Sequence, residues 1–209
     1  MDDLTALLQR AATGDRLALA GFIRASQADV WRFCAHLVDP ASADDLTQEV
    51  YVRAMRSMHR FRGDASAKTW LFAVARNVAA DEIRRRQRRR RFESVTSLAD
   101  AQRPGTDPHG RRIDGQRADA DAQQPEVDAW PLQELIDQLE PDRREAFVLT
   151  QQLGFSYRDA AATIGVPIGT VRSRVARGRE QLIRALQDEA DDDLGPGGAG
   201  PSGLDETGS

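Results

Sequence analysis

The sequence contains very few of the residues that several protein classes require. It has one cysteine, Cys34, among 209 residues, which excludes an internal disulfide framework and a multi-cysteine zinc site. Its three histidines are too few and too scattered to build a histidine-rich metal cage. We therefore expect no metal site and no cofactor.

Long apolar runs are missing as well. No window approaches the roughly 18 consecutive apolar residues of a membrane span, and the start of the chain, Met1-Asp2-Asp3, lacks the basic and apolar regions of a secretory signal. We expect a cytoplasmic protein with no membrane insertion. No nucleophile, glycine-rich phosphate loop or ligand pair accompanies the paired carboxylates of the chain, so we expect no catalytic residue and no enzyme activity.

The net charge of −4 conceals an uneven distribution along the chain. Residues 1–92 carry 17 basic and 11 acidic side chains, and residues 130–187 carry 8 and 7. Residues 93–129 carry 4 basic and 8 acidic side chains, and residues 188–209 carry 7 acidic side chains and no basic one. Basic blocks beside acidic segments indicate basic working surfaces flanked by solubilising chain.

Apolar residues recur at helical spacing in both basic blocks, and no stretch alternates with the period of a strand. Four helices are expected before residue 92, with breaks at Gly14-Asp15, Asp39-Pro40 and 61–66. Further helices begin near Trp130, at Pro141, after Ser156 as an N-cap, and after Pro167. The predicted fold is all-α: two small helical domains, 1–92 and 130–187, joined by a flexible acidic linker, 93–129, and followed by a disordered acidic tail, 188–209.

The segment 155–174 has the pattern of a helix-turn-helix: a short helix, a turn with Gly165, and a second helix with a basic start. The forked side chains of Arg172 and Arg174 suit guanine O6 and N7, and Thr170 and Ser173 suit phosphate or base. A plain helical hairpin with a solvated arginine face is the alternative interpretation.

Residues 69–91 combine aromatic residues with an arginine run. Rings that stack on bases and cations that follow phosphates are typical of a surface for unpaired single strands. The alternative is that Trp70 and Phe72 belong to the core and the arginines are merely solvated.

Carboxylates cluster at Asp44, Asp45 and Glu49, next to Gln48 and Arg53. Acidic residues in the first turns of a helix favour its positive dipole end, which explains Asp44 and Asp45 without any function. Binding of a partner protein is the other interpretation.

Taken in order, three motifs resemble the extracytoplasmic-function (ECF) sigma factors, the two-domain initiation subunits of bacterial RNA polymerase. They are Asp44-Asp45-Leu46-Thr47-Gln48-Glu49-Val50, then Phe61-Arg62-Gly63-Asp64 with Trp70-Leu71 and 77–85, then Gly169-Thr170-Val171-Arg172-Ser173-Arg174 with Arg177-Gly178-Arg179. The first domain is similar to the sigma-two domain of that family and the second to its sigma-four domain.

The resemblance implies three groups of site residues. Core-polymerase binding is assigned to Asp44, Asp45, Gln48, Glu49 and Arg53. Binding and melting of the minus-ten element is assigned to Phe61, Arg62, Gly63, Asp64, Ala65, Trp70, Asn77, Asp81, Arg84 and Arg85. Binding of the minus-thirty-five element is assigned to Thr170, Arg172, Ser173, Arg174, Ala176 and Arg177.

The resemblance also implies partners: promoter DNA, the largest and second-largest subunits of core RNA polymerase, and, in some relatives, an anti-sigma factor. Promoter strands would open near the loop 61–65, where a flipped base would be held with the help of Asn77. A stand-alone helix-turn-helix regulator is the alternative function, although it leaves the first domain unexplained. Cys34 is interpreted as a core residue, with a redox switch or a metal ligand beside His36 as the alternative.

Overall fold

The computed structural model describes residues 3–100 and 130–193, which form helices and turns with no strand. The helices in these two ranges are α1 (Asp3–Ala12), α2 (Arg16–Leu37), α3 (Pro40–Ser57), α4 (Ala67–Asp100), α5 (Trp130–Asp137), α6 (Pro141–Phe147), α7 (Tyr157–Ile164) and α8 (Ile168–Asp193). The all-α prediction is confirmed. We call 3–100 the first unit and 130–193 the second unit. Most of the predicted linker, 101–129, and the tail from 194 onward lie outside the described residues.

Local capping signals fix where the helices begin. Asp15 accepts hydrogen bonds from the backbone of Leu17 (3.0 Å) and Ala18 (2.9 Å) at the start of α2. Asp39 accepts one from Ser42 N (2.8 Å) at the start of α3, where Pro40 occupies the first turn. These side chains satisfy backbone donors that have no partner within the helix. The breaks predicted at Gly14-Asp15 and Asp39-Pro40 are therefore confirmed.

The first unit packs α1 to α4 around buried aromatic and aliphatic side chains. Phe33 of α2 and Phe72 of α4 meet edge to face, with ring centroids 5.2 Å apart, and both are fully buried. Val30 and Val50 fill the space beside them. Helix α4 continues to Asp100, so regular helical backbone extends eight residues beyond the expected boundary at 92.

The second unit places a short helix before a long one across a tight turn. Ser156 Oγ accepts from Asp159 N (3.1 Å) at the start of α7, and Gly165 takes a left-handed conformation (φ 79°) at its end. Before α7, residues 148–152 form a single π-helical turn, and Gly154 (φ 68°) follows it. The Ser156 cap and the Gly165 turn were both predicted from the sequence.

The two units pack against each other and share one continuous hydrophobic core. Helix α7 lies on α4, and α6 lies against α2. At the centre of the contact, the rings of Phe72 and Phe155 meet edge to face at 5.1 Å. The sequence predicts two helical units but carries no pattern from which their packing could be read.

Cys34 lies in the core of the first unit and is fully buried. Burial raises the pKa of its thiol to about 12, because a thiolate is disfavoured away from water. The interpretation of Cys34 as a core residue is confirmed. Within the two described ranges, no helix is both long and apolar enough to cross a membrane.

Candidate nucleic-acid interface

An acidic face lies on the outer side of α3. Asp44 and Asp45 are exposed there, and so is Gln48 one helical turn further on. Asp44 Oδ1 accepts a hydrogen bond from Trp31 Nε1 of α2 at 2.9 Å. Asp45 and Gln48 have no side-chain partner among the described residues. The face therefore offers free hydrogen-bonding groups to another molecule.

The dipole interpretation of these carboxylates is weakened by their position. Helix α3 begins at Pro40 and is capped by Asp39, so Asp44 and Asp45 stand in its second turn. The favourable interaction of a carboxylate with the helix dipole fades beyond the first turn. Asp39 therefore accounts for the capping of the helix start, and Asp44 and Asp45 contribute little to it.

Arg53 connects the acidic face of α3 to α4. Its Nε donates to Glu49 Oε1 (2.7 Å) on its own helix, and its Nη1 donates to Asp81 Oδ2 (2.6 Å) on α4. Asp81 also accepts from Arg84 Nη2 at 2.6 Å. The hydrogen bonds from Arg53 and Arg84 hold the pKa of the Asp81 carboxyl below its usual value. Asp81 therefore positions two arginines, whereas the sequence groups it with the DNA-contacting residues.

The loop between α3 and α4 is anchored at both ends and exposed in its middle. Phe61 N donates to Met58 O (3.0 Å) at its start. At its end, Ser66 Oγ accepts from Thr69 N (3.1 Å), and Thr5 Oγ1 of α1 accepts from Ala67 N (2.9 Å). Residues 62–65 between these anchors are exposed, and Gly63 has φ 81°, which favours glycine. The loop therefore has fixed ends and an exposed middle.

The aromatic residues of this region divide between surface and core. Phe61 and Trp70 are half-buried and meet edge to face, with ring centroids 5.7 Å apart. Phe72 is 1% exposed and packs inside the protein. Phe72 therefore belongs to the core, whereas Trp70 packs against the core and keeps part of its ring at the surface.

One face of α4 carries the predicted minus-ten residues. Trp70, Asn77 and Arg84 are spaced by seven residues, which brings them to one side of the helix. Asn77 and Arg84 are exposed.

The arginines that follow are held by Glu82. Its carboxylate accepts from Arg85 Nε (2.7 Å) and Arg86 Nε (2.7 Å), and these bonds lower its pKa to about 2. Arg85 remains exposed. Arg86 also donates to Asp39 Oδ2 and Ser42 Oγ at the start of α3, so it ties α4 to α3.

The second unit presents the start of α8 to solvent. Val171 and Val175 are buried and hold the helix against the unit. Exposed side chains lie on the opposite face: Arg172, Ser173, Ala176 and Arg177. Arg172 and Arg177 make no side-chain hydrogen bond or ion pair within 3–100 and 130–193, so their forked donors are available to a ligand. Ser173 Oγ donates to Thr170 O at 2.9 Å.

Arg174 differs from its neighbours. It forms an ion pair with Asp142 of α6, and its side chain is only 21% exposed. The sequence treats Arg172 and Arg174 as equivalent, because Asp142 is too distant along the chain to be linked to Arg174 by pattern. The structure leaves Arg172 and Arg177 exposed and ties Arg174 to the body of the unit.

Three Lys and Arg side chains join the two units within the described residues, and no sequence motif points to them. Lys68 Nζ donates to Leu153 O (2.6 Å) and lies 5.0 Å from the centre of the Phe155 ring. Arg76 Nε donates to Glu145 Oε1 at 2.6 Å. Arg144 Nη1 donates to His36 O at 3.0 Å. Together with the Phe72–Phe155 ring contact, these bonds join the first unit to the second.

Glu145 is the buried acid of this contact. Its side chain is 8% exposed, and desolvation raises the pKa of its carboxyl although Arg76 pulls in the opposite direction. A sequence signal for this residue does exist. Glu145 precedes Val148 and Leu149 by three and four residues, which places an acid on the apolar face of its helix.

Comparison with known families gives a match for each unit. The family described as Sigma-70 region 2 matches residues 22–89. The family described as Sigma-70, region 4 matches residues 130–182. The first match contains the acidic face of α3 and the face of α4 that carries Asn77 and Arg84, and the second contains the helix-turn-helix segment 155–174.

Individual relatives agree with these matches over most of the chain. The ECF RNA polymerase sigma factor SigC of Mycobacterium tuberculosis is 46% identical over 91% of this chain and 94% of its own. The RNA polymerase sigma-H factor of Pseudomonas aeruginosa is 33% identical over 87% and 92%. Among solved structures, the sigma factor RpoE in complex with the anti-sigma factor NepR from Bartonella quintana superposes with a TM-score of 0.63 at 27% identity, over 81% of this chain and 96% of that one.

Proposed function

Because the chain belongs to the ECF sigma factors of the sigma-70 family, we propose that it directs core RNA polymerase to specific promoters and takes part in opening the DNA strands. One observation carries this proposal: a region 2 match and a region 4 match occur in one chain, and each contains a helix face with exposed arginines. The proposal places the protein in the cytoplasm with the chromosome and assigns it no catalytic residue. If the protein were a stand-alone helix-turn-helix regulator, the unit that matches region 2 would have no assigned role.

We assign polymerase binding first to the acidic face of α3. Asp44, Asp45 and Gln48 would contact the largest subunit directly, since they are exposed. Glu49 and Arg53 already form an ion pair with each other. They would therefore support the contact from a neighbouring position. The second unit would bind the second-largest subunit. An anti-sigma factor is a further partner of the kind that the Bartonella quintana complex contains.

We assign the minus-ten element to the loop 61–65 and the adjoining face of α4. An extruded base would enter the exposed loop beside the Phe61–Trp70 pair, where rings can stack on it. Asn77 would contact the same base through its amide, and Arg84 and Arg85 would follow the phosphates. Asp81 would keep Arg53 and Arg84 in place.

We assign the minus-thirty-five element to the first three turns of α8. Arg172 is the residue best placed for a two-pronged contact with guanine, because its guanidinium is exposed and unpaired within the described ranges. The same groove of the DNA would receive Thr170, Ser173, Ala176 and Arg177. Arg174 would hold α8 against α6 through its ion pair with Asp142.

The test of the proposed function is transcription with purified core polymerase. The protein is added to sigma-free core on a library of randomised promoter templates, and the transcripts are sequenced. We expect transcripts whose start sites share two upstream elements, and these sequences define the promoter for every later experiment. Transcripts no more abundant than with core alone would contradict the proposed function.

Arg172→Ala is expected to weaken binding to the minus-thirty-five duplex by about 1–3 kcal/mol and to relax preference at one base pair, because a two-pronged guanine contact is lost. Titration of the full chain against labelled promoter and scrambled duplexes measures both effects. Arg184→Ala, which removes an exposed arginine further along α8, should weaken both duplexes alike. Arg174→Ala should change base preference less than Arg172→Ala. Equal losses on promoter and scrambled duplex for Arg172→Ala would contradict a base contact.

Asn77→Ala is expected to slow strand opening and to alter the preferred minus-ten base, while binding to the closed promoter stays nearly intact. Its side chain is exposed, so its removal should not disturb the core. Permanganate reactivity of unpaired thymines follows the opening. A template with a pre-melted bubble should recover part of the lost activity. Equal loss on bubble and duplex templates would show that Asn77 does not act at opening.

A further inference from the structure

Helix α1 contacts the loop 61–65 in its middle and the start of the helix that follows it. Thr5 Oγ1 accepts from Ala67 N at 2.9 Å, at the first residue of α4. One helical turn further along α1, the side chain of Gln9 reaches the loop: a methyl group placed on Gly63 would lie 3.7 Å from Gln9 Nε2. This nitrogen is therefore no more than about 5.2 Å from the Cα atom of Gly63, since a carbon–carbon single bond is about 1.5 Å long. Helix α1 thus lines one side of the loop.

Helix α1 is packed firmly, so the backbone position of Gln9 is fixed by the fold. Leu8, the residue before it, is 1% exposed, and Thr5 is buried as well. Towards α2, Gly21 lets the two helices approach closely, because a Cβ atom there would lie 3.2 Å from Leu7 Cδ2. A side chain on a packed helix meets a ligand at a more precise place than a side chain on a loop.

The amide of Gln9 is available to a ligand. Gln9 is exposed, and its side chain makes no hydrogen bond within 3–100 and 130–193, so it does not brace the loop. Its neighbour Arg10, by contrast, is paired with Asp15 at 2.7 Å. Because Gly63 has no side chain, none of its atoms beyond the backbone comes between the loop and the amide. The donors and the acceptor of Gln9 are thus unused in the protein itself.

A neutral amide beside an exposed loop suits the edge of a nucleobase. Its oxygen accepts hydrogen bonds and its nitrogen donates them, and such a pair binds two neighbouring polar atoms of a base, as glutamine does with N6 and N7 of adenine. A phosphate only accepts hydrogen bonds, so it would use only the nitrogen of the amide. It would also meet the negative charge of Asp64 in the same loop. Gln9 and the loop therefore fit an unpaired base better than a strand backbone.

We propose that Gln9 is a specificity-determining residue for the base that enters the loop 61–65, and that its amide hydrogen-bonds to the polar edge of that base. The inference rests on the proposed function, because a base reaches the loop only if this unit binds opened promoter DNA. Stacking on Phe61 and Trp70 holds any base, since every base has a π face, and Gln9 adds the choice among bases. The residue lies outside the region 2 match, which begins at residue 22.

Promoter templates with a pre-melted bubble test this contact separately from strand opening. The full chain is combined with core polymerase, and affinity is measured on templates that carry each of the four bases, or an abasic site, at each minus-ten position in turn. Gln9→Ala removes the side chain, whereas Gln9→Met keeps its length and removes its hydrogen bonds. The matched control is Gln27→Ala, which alters an exposed glutamine of α2 with no side-chain hydrogen bond in the described ranges. Circular dichroism establishes that each variant is folded.

The expected loss is confined to one position of the minus-ten element. There, Gln9→Ala and Gln9→Met should each lower affinity for the preferred base at least about fivefold, the lower end of the effect of losing a two-pronged amide contact. The preference over the other three bases should weaken by the same factor. With an abasic site at that position, both variants should bind as tightly as the unmodified protein, because no base edge is left to contact. Gln27→Ala should match the unmodified protein on every template.

Other results would overturn the role of Gln9 or the proposed function separately. Unchanged base preference at every minus-ten position would overturn the role of Gln9. A loss that persists on the abasic template would also overturn it, since Gln9 would then support the loop without touching a base. Full recovery by Gln9→Met would show that bulk, and not hydrogen bonding, is what matters. If the unmodified protein supports no transcription with core polymerase, the proposed function itself fails, and the inference fails with it.

Discussion

Asp45→Arg combined with Gln48→Arg will abolish co-purification with core polymerase and reduce transcription at least 100-fold. Both side chains are exposed, stand one turn apart on α3 and have no side-chain partner among the described residues, so the change should leave the fold intact. It converts an acidic contact surface into a basic one, and like charges across an interface cost several kcal/mol. Pull-down of tagged core and multi-round transcription measure the two effects.

A control variant makes the same change in charge elsewhere. Asp3→Arg with Ala6→Arg alters an exposed pair three residues apart on α1, and it should bind core normally. If the α3 variant retains binding within threefold of the control, the acidic face is not the docking surface. Circular dichroism of both variants shows whether any loss comes from unfolding.

Phe72→Ala is expected to lower the free energy of unfolding by about 3–5 kcal/mol, the usual cost of emptying the site of a buried aromatic ring. Phe72 is 1% exposed and makes edge-to-face contacts with Phe33 of the first unit and Phe155 of the second. The substitution therefore weakens both a core and the contact between the units. Urea unfolding followed by tryptophan fluorescence and by circular dichroism measures the loss.

Leu17→Ala serves as the control for this substitution. Leu17 lies near the start of α2 and is 83% exposed, so its loss should change stability by no more than about 0.5 kcal/mol. Phe155→Ala should destabilise the protein less than Phe72→Ala, since Phe155 contacts Phe72 from the edge of the second unit. A cost below 1 kcal/mol for Phe72→Ala would contradict the shared core.

The helices could be predicted because their signals are local. Asp15, Asp39 and Ser156 cap helices within three residues of themselves, and Gly165 ends one through its own conformation. Exposure of Arg172 follows from the period of its helix, since Val171 and Val175 mark the buried side. Such features depend only on neighbours along the chain.

What the sequence could not predict depends on residues far apart along the chain. Arg174 pairs with Asp142, and Arg53 pairs with Asp81; in both pairs the two residues stand on different helices. The packing of Phe72 on Phe155 joins residues 83 positions apart, and an apolar residue carries no sign of which partner it will meet. The family resemblance groups Asp81 with the DNA-contacting residues because of its place in a motif. The motif does not indicate that Asp81 accepts hydrogen bonds from Arg53 and Arg84.

Lys68 has a practical consequence for anyone who handles this protein. It is the single lysine in the chain, so apart from an amino terminus it is the one target for the amine-reactive dyes, biotin esters and activated sensor surfaces in common use. Its ammonium group is bonded to Leu153 and lies over Phe155. An amide formed there removes the charge from that contact. Samples labelled or immobilised through amines would thus report on an altered molecule, and attachment through an introduced surface thiol avoids this.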